Sequence, residues 1–187
     1  VLRRGGGAAL AGLALLVHPA LAWDPAQLRQ LRDSHVCLGC DLAQANLIRA
    51  DLRAADLGES DLTGATLFYS NLIGTRLVGA RLDKADLRGV NLFYADLSGA
   101  SFVGADMTGA NLVGAQMHAV DLTGTDLSGA NLFRADLTGA TLTGTDLGSA
   151  YLYGASLAQA KLDKARLDGA IFCGTIMPDG AVTDDDC

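Results

Sequence analysis

Aromatic residues make up only 5% of this 187-residue chain, and tryptophan occurs once. So few rings suit a narrow interior filled by smaller side chains. Histidine is as scarce, with three copies. His18 lies near the start, His118 stands alone, and His35 precedes Cys37 and Cys40. That last group offers three possible metal ligands within six residues, but no fourth ligand follows, so no metal site is expected. There is no Ser-His-Asp arrangement, phosphate loop or dinucleotide fingerprint. These absences argue against an enzyme, and no catalytic residue or cofactor is assigned. No apolar run is long enough to span a bilayer comfortably.

What the chain has instead is a period of five. From Leu42 to Phe172 every fifth residue is large and apolar: 27 positions, 23 of them Leu, with Phe102, Met107, Met117 and Phe172 as the exceptions. Two residues before each stands a small residue, Ala in 19 cases. A helix would smear this series round its surface, because five residues turn about 140° past a full turn. A strand would flip it between faces. Gly also fills 15 of the 27 positions two beyond the Leu, too many for a helix. The remaining solution is a solenoid with a corner every five residues. The small residue and the Leu point inward, and coils stack through main-chain hydrogen bonds.

The runs Ala45-Asn46-Leu47, Ala85-Asp86-Leu87, Ala95-Asp96-Leu97-Ser98-Gly99 and Ala135-Asp136-Leu137-Thr138-Gly139 resemble the A(D/N)LXX motif of the pentapeptide-repeat family. The resemblance implies an all-β fold, a right-handed quadrilateral β-helix with one pentad per side. Residues 41–175 would then form about 6.75 coils, a rod roughly 30 Å long. Segment 23–40 is expected to cap it at the N-terminus, with a short helix over 25–33 begun by Asp24 and Pro25. Leu28, Leu31 and Val36 would form its apolar stripe. Segment 176–187 is expected to cap the C-terminus. Pro178-Asp179-Gly180 reads there as a turn, and Asp184-Asp185-Asp186 as a solvated tail.

Residues 1–22 differ from the rest. Arg3 and Arg4, an apolar run from Ala8 to Val17 and the small-x-small Ala20-Leu21-Ala22 read as a signal peptide cut before Trp23. An exported protein of the periplasm, extracellular space or a lumen is expected, without stable membrane insertion once the leader is removed. Cleavage would take the net charge from −7 to −9, which disfavours nucleic acid as a partner. Four cysteines in an exported chain point to disulfides and allow three pairings. Cys37 and Cys40 fall at the first coil, Cys173 and Cys187 at the last. Cys173–Cys187 is favoured, and Cys37–Cys40 is geometrically tight. The whole arrangement looks like exported pentapeptide-repeat proteins of cyanobacteria and the thylakoid lumen.

Reading every twentieth residue separates four sides. On the third, the residue after the Leu is Ile73, Phe93, Val113, Phe133 and Tyr153 in successive coils. Such an outward apolar ribbon marks a contact surface, although stacked aromatics also stabilise their own coils. Before the Leu on the same side stand Asn71, Asn91, Asn111 and Asn131, expected to form an amide ladder. The second side carries Asp86, Asp106, Asp126 and Asp146, read as hydrated consensus residues, a weak Ca²⁺ edge or a mimic of phosphate spacing. The reading is a non-enzymatic scaffold that docks a protein partner, or a second copy, through the third side. The alternative is an acidic DNA mimic, since some cytoplasmic members of the family bind DNA gyrase; an exported location argues against it.

Overall fold

The computed structural model describes residues 23–184, 186 and 187. The expected leader lies outside them. From Val36 to Ile176 the chain winds so that residue n pairs in parallel with residue n+20, and the pairs form four ladders. Asn71, Asn91, Asn111 and Asn131 are consecutive rungs of one ladder. The core residues that follow them, including Leu92, Leu112 and Leu132, therefore stack above one another, each with 0% exposure. Full burial of a Leu contributes about 1.5–3 kcal/mol, so a column of them holds each coil to the next.

A bend every five residues requires a turn, and each pentad from Leu42 to Leu167 closes one. The N–H three residues beyond the core position donates to the core residue's carbonyl, as Ala95 does to Leu92 at 3.0 Å. The residue two beyond the core position always has φ between +52° and +70°. This left-handed conformation accounts for the many glycines there. Buried threonines at the small inward position are also satisfied. The hydroxyls of Thr75, Thr125, Thr145 and Thr175 donate to the carbonyls of Leu52, Phe102, Leu122 and Leu152 at 2.6–2.8 Å.

Helix α1 spans Pro25–Ser34. Asp24 caps it by accepting from the Ala26 N–H at 2.8 Å, and His35 ends it in the left-handed conformation, its N–H donating to the Leu31 carbonyl. Leu31 enters the core, and Leu28 and Trp23 pack against that core. The helix is tied to the first coil by main chain and side chain. Gln27 Oε1 accepts from the Asp41 N–H at 2.6 Å, and the Asp24 N–H donates to the Asp41 carbonyl at 3.1 Å. Val36 does not join the helix stripe. It begins a ladder by pairing with Asp56, and it is 44% exposed.

At the other end, β1 (Thr175–Ile176) pairs antiparallel with β2 (Val182–Thr183). Met177 and Gly180 close the turn between them, with the Gly180 N–H donating to the Met177 carbonyl. Disulfides join Cys37 to Cys40 and Cys173 to Cys187. The acidic tail is not merely solvated. Asp186 Oδ2 accepts from the Phe172 N–H at 2.8 Å, and Asp184 Oδ1 from the Gly174 N–H at 2.9 Å. Those N–H groups would otherwise face a missing next coil, which is why carboxylates settle there.

Candidate docking face

The third side carries the apolar ribbon, but less proud of the surface than its pattern suggests. Ile73, Phe93, Val113 and Phe133 are half-buried, and Tyr153 is 47% exposed. The column ends at Cys173, buried by its bond to Cys187. Outward positions half-bury themselves because large side chains one coil apart lie against each other. Phe133 and Tyr153 stack at 5.4 Å between centroids, and the Arg134 guanidinium sits 5.1 Å from the Phe133 ring. The aromatics thus stiffen the rod and still leave apolar area facing outward.

Three tyrosines that the column comparison did not single out add to this surface. Tyr94 follows Phe93 at the turn, is 62% exposed, and meets the Phe93 ring edge-on at 4.4 Å. Tyr69, at the turn leading into the third side, lies across Gly89 and packs on Phe68. Tyr151 occupies the ladder position of the same side and is 53% exposed. For Tyr69 and Tyr94 the signal in the sequence was an aromatic residue at a turn position where glycine is the common occupant; Tyr151 stands where the four preceding rungs of the same ladder carry Asn.

The asparagines beneath the ribbon do a different job from the one expected. One amide rung forms, from Asn111 Nδ2 to Asn91 Oδ1 at 3.0 Å, and it is the single rung among the described residues. Each Oδ1 instead accepts the N–H two residues on: Ile73, Phe93, Val113 and Phe133 at 3.0–3.3 Å. An oxygen held this way starts each turn and orients the ribbon residue that follows.

The aspartates of the second side follow the same rule. Asp86, Asp106, Asp126 and Asp146 accept from the N–H groups of Arg88, Thr108, Ser128 and Gly148 at 2.9–3.3 Å. Arginines neutralise the column at both ends. Arg88 lies 2.6 Å from Asp86 and 3.7 Å from Asp106, and Arg166 lies 2.8 Å from Asp146. The Arg88 hydrogen bond is the main cause holding the Asp86 carboxyl below the usual range, against a burial effect that raises it. Further ion pairs cross between coils on other sides, Asp56–Arg76 at 2.9 Å and Asp61–Arg81 at 3.4 Å. Burial raises both of those carboxyls, but turn hydrogen bonds and the arginines outweigh it and their pKa values fall.

A filled rod gives little reason to expect a pocket, yet a cleft of about 560 Å³ lies between α1 and the first coil. Trp23, Leu28, Leu31, Leu47, Ile48 and Leu52 line it, with Arg29, Arg32 and Asp51 among the polar residues. It arises because a helix laid on a square coil cannot cover all four sides. Cys173, Asp184 and Cys187 place ligand atoms within 4.8 Å of one another. Both sulfurs are in a disulfide, so the group has no thiolate to offer a metal. The same holds for Cys37 and Cys40 beside His35. Among the described residues no helix is long and apolar enough to cross a membrane.

Comparison with known proteins bears on this architecture. The family model for pentapeptide repeats matches in eight copies, over residues 39–67, 45–83, 70–109, 110–148 and 150–179. Among curated proteins none matches the chain in sequence. Of solved structures, HetL, a pentapeptide repeat protein involved in heterocyst differentiation regulation from the cyanobacterium Nostoc sp. Strain PCC 7120, is 32% identical over 75% of this chain and 78% of its own, with a TM-score of 0.35. A pentapeptide repeat protein of the Arabidopsis thaliana thylakoid lumen is 32% identical over 55% of this chain and 64% of its own, with a TM-score of 0.40. Trypsin-treated QnrB1, a plasmid-mediated fluoroquinolone resistance protein, is 18% identical over 70% and 69%, with a TM-score of 0.59, a likeness of fold. The solenoid is the right-handed β-helix of these proteins, and the chain belongs to the pentapeptide-repeat family.

Proposed function

We propose that this protein is an exported, non-enzymatic scaffold that docks a protein partner, or a second copy of itself, along its third side. Ile73, Phe93, Val113, Phe133 and Tyr153 form the contact strip, and Tyr69, Tyr94 and Tyr151 extend it. The observation that carries this reading is the run of five successive coils with apolar, partly exposed side chains in one column. Phe93, Phe133 and Tyr153 are already held by ring contacts, so docking costs less ordering entropy there than it would on a soft surface. Residues 1–22 serve as the leader, α1 and its flanks close one end of the rod, and segment 176–187 closes the other. Two disulfides support a life in an oxidising compartment.

The DNA-mimic reading is the weaker one. Its aspartates are spent inside turns and paired with Arg88 and Arg166 rather than displayed as a free anionic column. The test replaces Phe93 and Phe133 with Asp. Sedimentation and pulldown should then lose the association, while circular dichroism stays that of the parent. Association unchanged in the folded variant removes the proposal. Fractionation of the full chain checks the export half.

A further inference from the structure

The C-terminal end of the rod is finished on some sides and open on others. In each interior coil two N–H groups per side, that of the core residue and that of the residue two beyond, donate to the following coil. Leu142 and Gly144 do so to the carbonyls of Lys161 and Asp163, at 2.8 Å each. Beyond the last coil no further coil stacks among the described residues. On the third side the tail substitutes for one: Asp186 takes the Phe172 N–H and Asp184 takes the Gly174 N–H. An Asp-x-Asp segment therefore stands where a strand would be. The equivalent pairs on the first and second sides are Leu162 with Lys164, and Leu167 with Gly169. None of these four N–H groups has a hydrogen-bond partner among the described residues.

The open pairs share the backbone of the filled one. Lys164 (φ 59°) and Gly169 (φ 69°) hold the left-handed conformation of Gly174 (φ 61°). Each pair thus sits on the same kind of turn, its two N–H groups directed along the rod axis as those of interior coils are. Charge favours the same ligand. Lys161 and Lys164 are exposed and have no ion-pair partner among the described residues. Arg166, on the second side, is engaged by Asp146 and Asp168. On the first side, residues 161–165, two lysines thus stand against one carboxylate, Asp163.

We propose that these two open sides bind the carboxylates of an acidic, extended segment of a partner protein, an Asp-x-Asp sequence engaging each N–H pair as Asp186 and Asp184 engage theirs. Charge-assisted hydrogen bonds from main-chain N–H groups supply the recognition, and Lys161 and Lys164 supply attraction and orientation. The site is separate from the third-side ribbon and does not depend on it.

The probe is a synthetic peptide of the tail's own sequence, Val-Thr-Asp-Asp-Asp-Ser, with serine in place of the terminal cysteine, added to the ¹⁵N-labelled, oxidised protein. Saturable shifts of the Leu162, Lys164, Leu167 and Gly169 amide signals are expected. The double change Lys161→Glu and Lys164→Glu alters two exposed, unpaired side chains and should weaken binding about tenfold with the fold intact. A peptide with Asn for every Asp should not bind. No shift at millimolar peptide, or equal shifts with the Asn peptide, overturns the proposal. So do shifts of these amides that depend on protein concentration alone, which would make a second copy the occupant. Phe93→Asp should leave the peptide shifts unchanged, so failure here and failure of the ribbon proposal read out separately.

Discussion

Replacing Gly114 with alanine probes how the exposed tyrosines are seated. Gly114 has φ 64°, and a Cβ built there would lie 2.5 Å from Tyr94 Cε1 and 2.8 Å from Cδ1. Gly99 is the reference: φ 66°, with nothing within 4 Å of its Cβ position. An L-residue in the left-handed region costs about 1–2 kcal/mol, and both variants carry that cost. At Gly114 the Tyr94 ring must also swing out, because its edge leaves no room for a methyl group. Swinging out breaks its edge-to-face contact with Phe93, worth about 0.5–1.5 kcal/mol. Gly114→Ala should therefore cost about 1 kcal/mol more than Gly99→Ala, an extra fall of roughly 2–4 °C in melting temperature for a domain of this size. Calorimetry and urea titration measure both. A double-mutant cycle with Tyr94→Ala should remove the excess. If Gly114→Ala and Gly99→Ala cost the same, Tyr94 does not rest on the glycine, and the seating of Tyr69 on Gly89 falls with it.

Other outcomes follow from the carboxylates and the tail. The pKa values of Asp51, Asp56, Asp61 and Asp86 are lowered in the folded chain. The unfolded chain therefore binds their protons more readily, so their stabilisation is complete above the ordinary aspartate value of about 3.9 and is lost as pH falls through the lowered values. Melting temperature should drop over that acid range, and Asp86→Asn should lessen the drop; a wild-type curve flat in acid would contradict this assignment. Cys187→Ser removes a cross-link between residues 14 apart, worth about 3 kcal/mol in loop entropy. Hydrogen exchange should then quicken at Phe172 and Gly174 while Leu112 stays protected, because coils contact only their neighbours; uniform exchange along the rod would refute it.

Much of the interior is legible in the sequence, because the five-residue period leaves a single economical way to bury the Leu series. The ladder through Asn71 to Asn131 and the buried column beside it follow from that period together with the four pentads per coil that the family resemblance implies. The polar columns were read less well. Asn and Asp recur every twenty residues, which suggests ladders of like groups along the rod. Each oxygen finds a closer partner in its own turn, the N–H two residues on, and local geometry wins over the neighbour one coil away. Aromatic exposure was also misjudged. A column lists which residues stack but not how far a ring leans, and Phe133 leans onto Tyr153 while Tyr94 lies outside over Gly114.

By itself, then, the amino-acid order determined a period, a corner every five residues and an interior of Leu and Ala, since burial of a repeating residue depends only on its spacing; the four-sided winding came from the family resemblance. The hydrogen-bond partners at the two ends were decided by tertiary structure. There the repeat stops, and the last main-chain groups take whatever partner the chain brings within reach: Gln27 and Asp24 for Asp41, Asp186 and Asp184 for Phe172 and Gly174. No periodicity encodes such contacts, because each joins residues outside the repeat to the one coil that lacks a neighbour.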